Sequence, residues 1–227
     1  MIRLKDVVKS YKVGDNQINA LNGVSLELEE GSYATIVGPS GSGKSTLFHI
    51  IGGLEEIDQG EVWVDEEPIH QLKDKELARI RREQIGFVFQ QFQLLPTASA
   101  LENVMMPLLN FTSSKTLRDK AAAVLERVGL GDRLDHLPSR LSGGEQQRVA
   151  IARAFITEPK VILADEPTGN LDSENGMKII QLLEDFHQKD GGTVVMITHD
   201  LNLAERAEQK ISILDGQIVS HDRRILT

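Results

Sequence analysis

The chain has 227 residues, 40% hydrophobic and 26% charged, enough apolar material for one or two domains with a sizeable core. Its 34 acidic residues outnumber 25 basic ones for a formal charge of −9, which argues against general nucleic-acid binding, while zero cysteines exclude a disulfide scaffold, a thiolate metal site and a Cys nucleophile. The longest apolar run, residues 121–125, is far short of the roughly 20 needed to span a bilayer, and the start lacks the apolar core of a signal peptide, so the expectation is a soluble, cytoplasmic protein.

Residues 1–30 alternate as strands do. Val24, Leu26 and Leu28 are apolar between polar neighbours, the period of a half-buried strand. Tyr33-Ala34-Thr35-Ile36-Val37 reads as a strand halted at Gly38, with helix-compatible residues resuming at Leu47. Residues 61–64 read as a further strand, and Arg79, Arg81 and Arg82 as a solvated basic helix face. Leu117, Ala121, Val124, Leu125 and Val128 share one helical face, and Gly129 suits the left-handed position that ends it. A helix over 144–157, a strand over 161–164, a helix over about 175–189 and a strand over 194–197 follow. Asp215-Gly216 marks a hairpin. Strands alternating with helices predict an α/β fold with a parallel sheet and crossover connections. The block at about 97–139 reads as a helical lobe inserted into it.

Gly38-Pro39-Ser40-Gly41-Ser42-Gly43-Lys44-Ser45 matches G-x-x-x-x-G-K-[ST] between a predicted strand and a predicted helix. Its glycines permit a nest of backbone N–H groups, and the helix start behind adds partial positive charge. Lys44 would reach the β- and γ-phosphates of a nucleotide and Ser45 would offer its hydroxyl to Mg²⁺. Val161-Ile162-Leu163-Ala164-Asp165-Glu166 is a buried strand delivering two carboxylates to a sheet edge. Asp165 would hold the metal, and Glu166 would orient or deprotonate the water attacking the γ-phosphate.

The most specific stretch is Leu141-Ser142-Gly143-Gly144-Glu145-Gln146-Gln147-Arg148-Val149. Here the sequence resembles the ATP-binding cassette (ABC) ATPases, whose signature is Leu-Ser-Gly-Gly-Gln, and the resemblance covers essentially the whole chain in the family's motif order. It implies a P-loop NTPase (RecA-like) parallel-sheet core with an N-terminal antiparallel β subdomain and an inserted α-helical subdomain. All of 1–227 would form one nucleotide-binding domain, with the core at about 1–96 and 140–227 and the helical subdomain at about 97–139.

The same resemblance assigns roles. Gly38, Pro39, Ser40, Gly41, Ser42, Gly43, Lys44, Ser45 and Thr46 would wrap ATP, with Tyr11 stacked on adenine. Gln90, in Gly86-Phe87-Val88-Phe89-Gln90, is similar to the Q-loop glutamine, a Mg²⁺ ligand with Ser45 and Asp165 and a hinge into the helical lobe. Glu166, His199, Lys44 and Gln90 form the implied catalytic set, His199 being the switch histidine. Ser142, Gly143 and Gly144 would bind the nucleotide from the signature helix, and Asp172 from the D-loop. In that loop Gly169 stands where many members have Ser, and Asn170 where many have Ala. Taken alone, Tyr11 reads as a packing residue, Gln90 as a strand-end polar group and His199 as a surface or cap residue; their order among the stronger motifs is what raises them.

Two phosphate-seeking helix starts in one chain are resolved in the family by a head-to-tail homodimer. Each ATP lies between the phosphate loop of one subunit and the signature helix of the other, and two chains at −9 each would associate weakly without it. Glu145 departs from the signature's Gln. One reading is a capping box, Ser142-x-x-Glu145; the other is a carboxylate that tunes closure by repelling the triphosphate.

Within the class, Ala-Asp-Glu-Pro-Thr-Gly-Asn-Leu-Asp, Leu-Glu-Asn-Val and the segment after Phe87 resemble the ATPases of lipoprotein-releasing complexes, macrolide and peptide exporters, and cell division. This implies an integral-membrane permease partner, no nucleic acid, and a place on the inner face of the cell membrane. The alternative function is a regulatory or force-transmitting ATPase of a cell-envelope or cell-division complex that moves no cargo. Residues 90–104 would supply either a groove for the permease or the lobe's own core.

Overall fold

The computed structural model describes residues 1–14 and 16–224. In chain order its elements are β1 (Ile2–Val13), β2 (Asn16–Leu28), β3 (Tyr33–Val37), α1 (Lys44–Ile51), β4 (Gln59–Val64), α2 (Asp74–Glu83), β5 (Ile85–Val88), α3 (Ala100–Met105) and α4 (Ser114–Arg127). There follow α5 (Gly143–Phe155), β6 (Val161–Asp165), α6 (Ser173–Asp190), β7 (Thr193–Ile197), α7 (Leu201–Ala204), β8 (Gln209–Leu214) and β9 (Gln217–Arg223). They gather into two compact units, one built from Met1–Arg81 with the stretch that starts at Gly192, the other from Arg82–Gly191.

In the first unit β1 pairs antiparallel with β2 on one side and β4 on the other. The expected alternation is there: Leu21, Val24, Leu26 and Leu28 of β2 are buried and the residues between them exposed. A second set of strands runs in the order β7-β3-β8-β9. β3 lies parallel to both β7 and β8, and every residue of β3 and β7 is buried, as continuous β-branched runs demand of parallel strands covered on both faces. Leu47, Phe48, Ile50 and Ile51 of α1 are buried in the same unit. β8 turns into β9 through Asp215 and Gly216, both at positive φ (47° and 73°), the primed turn that Asp-Gly favours. The Gly216 N–H donates to the Ser42 carbonyl at 3.0 Å, so this hairpin braces the loop that precedes α1.

In the second unit β5 and β6 pair in parallel. Leu117, Ala121 and Leu125 of α4 are buried, and Gly129 beyond it sits at φ 74°, the left-handed C′ residue that the sequence predicts. Phe155 of α5 stacks on Phe186 of α6 at 5.4 Å between centroids, and the Arg127 guanidinium covers Phe155 at 4.8 Å while pairing with Asp190. The basic run at 79–82 is less solvated than its composition suggests. Arg81 donates to the Gly53 carbonyl at 2.7 Å inside the first unit, and the Arg82 guanidinium lies over the Phe111 ring at 3.7 Å inside the second.

Candidate functional site

The first unit holds the phosphate loop. β3 delivers the chain to Gly38, and α1 starts at Lys44 with Gly43 as its N-cap at φ 105°. A Cβ on Gly43 would overlap the Ala20 carbonyl, and one on Gly38 would overlap that of Ile213, so neighbouring strands press the loop into a shape open to glycine alone. Lys44 Nζ donates to the carbonyls of Gly38 and Pro39, each at 2.9 Å. Its ammonium thereby closes the loop into a ring. No side chain caps α1 and its first turn carries no carboxylate, leaving the first N–H groups and their partial positive charge for an anion. The Ser42 hydroxyl is buried without a hydrogen-bond partner. Pro39, Ser40, Gly41 and Ser45 are exposed, and Thr46 is half-buried. The loop's backbone N–H groups, other than at Pro39, and its Ser and Thr hydroxyls fit a polyphosphate.

Two further expected residues belong to this unit. Tyr11 is half-buried in β1, with the Lys9 ammonium 5.2 Å from its ring centre. His199 is exposed, two residues after β7.

The second unit holds the rest. Asp165 ends β6 and Glu166 follows it at φ 44°, a left-handed backbone that is costly for a non-glycine residue; both side chains are half-buried. Ser142 caps α5 by accepting from the Glu145 N–H at 3.3 Å, while the Glu145 carboxylate accepts from the Ser142 N–H at 2.8 Å. The Ser142 amide and hydroxyl, with Arg133 behind them, hold the Glu145 carboxyl below its ordinary pKa. Gly143 is half-buried. Gly144 is buried, and a Cβ there would stand 2.8 Å from the Asn175 side chain. Asp172 caps α6, and the Asn175 backbone N–H and side-chain amide hold its carboxyl below its ordinary pKa.

The segment after β5 is tied down by side chains that composition and motif matching pass over. Gln147, fully buried, donates to the carbonyls of Phe89 at 3.2 Å and Pro167 at 2.7 Å. Asn170 donates to the Gln90 carbonyl at 2.9 Å. Arg153, its pKa lowered by burial, donates to the carbonyls of Phe92 and Gln93. Asn103 has no exposed surface; it accepts from the Leu95 N–H and donates to the carbonyls of Leu95, Ala98 and Ser99. Within the expected groove segment Leu101 and Val104 pack the interior and Leu95 is exposed; beyond it Met106, Leu109 and Phe111 are 41–61% exposed.

A family described as ABC transporter matches residues 21–169. The chain belongs to that family. It is 49% identical to an ATP-binding protein of Methanocaldococcus jannaschii named MJ0796, over 98% of this chain and 97% of that one. It is 47% identical to the Escherichia coli ABC transporter ATP-binding protein YbbA, over 96% of each. It is also 46% identical to the macrolide export ATP-binding/permease protein MacB of Bdellovibrio bacteriovorus, covering 98% of this chain but 34% of that longer protein. A solved dimeric, post-hydrolysis structure of MJ0796 bound to ADP and Pi superposes with a TM-score of 0.93 at 46% identity, over 100% of both chains. The α/β fold expected from the sequence is therefore the fold of this ABC ATPase: a P-loop core of mixed parallel sheet, an N-terminal antiparallel β subdomain and a helical insert. As a member of the class it binds ATP and hydrolyses it to ADP and phosphate. Among the described residues no helix is long and apolar enough to cross a membrane.

Proposed function

We propose that this chain is the ATPase of a membrane complex, working as a homodimer on the cytoplasmic face and driving an integral-membrane permease. The observation that carries the reading is the uncapped start of α1 behind a loop closed by Lys44, a site for phosphate in a family defined by ATP-driven work. A homodimer is supported by the dimeric MJ0796 structure. A permease is supported by the match to the ATP-binding/permease protein MacB and by the exposed apolar set Leu95, Met106, Leu109 and Phe111, the kind of surface that marks a protein contact.

In this reading residues 38–46 hold the triphosphate and Tyr11 stacks on the base. Ser45, Gln90 and Asp165 would hold Mg²⁺, which when bound would supply positive charge against the phosphate oxygens. Glu166 takes the proton of the attacking water, and His199 hydrogen-bonds the γ-phosphate. Ser142 and Gly143 of the partner subunit present the start of α5 to the same phosphate, with Asp172 near the dimer seam. Purification from the native membrane tests the whole. The expected result is an integral-membrane chain that co-purifies and accelerates ATP turnover. Recovery of the ATPase without such a chain would contradict it.

A further inference from the structure

Gln90 is held in place by the loop that follows Glu166. The Asn170 amide donates to the Gln90 carbonyl at 2.9 Å. One residue earlier, a Cβ on Gly169 would stand 2.8 Å from Gln90 Nε2 and 3.2 Å from its Cδ, nearer than side-chain atoms approach, so the glutamine amide lies against the bare glycine. Gln147 adds a tie beside these, bridging the carbonyls of Phe89 and Pro167. The loop is itself stiff, because the Gly169 N–H donates to the Glu166 carbonyl and the Leu171 N–H to that of Thr168, both at 3.0 Å. Both loop positions touch the same glutamine: Gly169 leaves bare the space where Gln90 lies, and Asn170 supplies a donor to its carbonyl.

We propose that Asn170, with the space left by Gly169, is a positioning residue for Gln90, so that one short loop sets both Glu166 and the Q-loop glutamine for hydrolysis. The proposal rests on the role given to Gln90 above. Asn170 and Gln90 are exposed, and a hydrogen bond between exposed groups contributes little to global stability. Its effect falls on where the Gln90 side chain stands.

The test is a double-mutant cycle on steady-state ATP turnover with Mg²⁺, with thermal melting as a folding control. Asn170→Ala lowers kcat about two- to tenfold, the range of one lost hydrogen bond, and leaves the KM for ATP and the melting midpoint unchanged. Gly169→Ser lowers kcat in the same way. In a Gln90→Ala background, Asn170→Ala has no further effect. An equal loss in both backgrounds, or a change confined to KM, overturns the proposal. Full turnover by Gln90→Ala alone would overturn the role of Gln90 itself, a failure read from a different variant.

Discussion

Ser142 and Glu145 satisfy one another across the first turn of α5: each side chain accepts the other's backbone N–H, and the Ser142 hydroxyl donates to the carboxylate at 2.8 Å. Arg133 adds a contact at 3.3 Å. The carboxylate that replaces the signature's usual amide is thus occupied locally, as a capping box. Gln at N3 also completes such a box, so Glu145→Gln keeps the cap, loses the Arg133 pair, and leaves ATP turnover within severalfold of wild type. A hundredfold change in turnover would show that the charge acts on the nucleotide.

The same pair predicts a pH dependence. Glu145 has a folded-state pKa below its unfolded value, chiefly through the Ser142 amide. Its ionised form therefore stabilises the fold at neutral pH, and that contribution fades as pH falls through the folded pKa. Glu145→Ala should cost about 1 kcal/mol at pH 7. In urea titrations the gap between wild type and this variant should narrow as the solution is taken below the ordinary carboxylate range. A gap that stays constant with pH would contradict the ionised cap.

Lys44 closes the ring of Gly38 and Pro39 carbonyls, and in the proposed function it also meets the phosphates. Lys44→Ala removes both and should weaken nucleotide binding itself. Calorimetry should show a markedly higher Kd for ATP, and an unchanged Kd would contradict the loop's assignment.

Much of this was legible from residue order because the signals were local. The Asp215-Gly216 turn, the α4 face ending at Gly129 and the continuous apolar strands β3, β6 and β7 each depend on neighbours a few residues away. What could not be read were long-range partners. Gln147, Arg153 and Asn170 serve backbone carbonyls 58, 60 and 80 residues distant in sequence, and a carbonyl leaves no mark in the side-chain pattern. Gly144 belongs with them: its small size answers Asn175 on another helix. Arg81 and Arg82 read as solvated because charge alone does not reveal that their guanidinium groups meet the Gly53 carbonyl and the Phe111 ring.

Glu166 follows β6 in a left-handed backbone conformation, held where the strand ends. Replacement by the isosteric Gln preserves shape and removes the carboxylate proposed to accept the water's proton. Glu166→Gln should bind ATP normally and lower turnover by roughly 10²–10⁴, the scale of a lost general base. Normal hydrolysis by this variant would rule out Glu166 as the base.

The central claim is that neither subunit hydrolyses alone, because the phosphate loop and the signature helix serving one ATP come from different copies. Specific activity measured against protein concentration, with the mass of the species followed by light scattering in saturating Mg²⁺ and ATP, addresses this directly. The account predicts that turnover per chain falls steeply as dilution dissolves the dimer. A preparation shown to be wholly monomeric under those conditions, yet turning over at the undiminished rate, would contradict it.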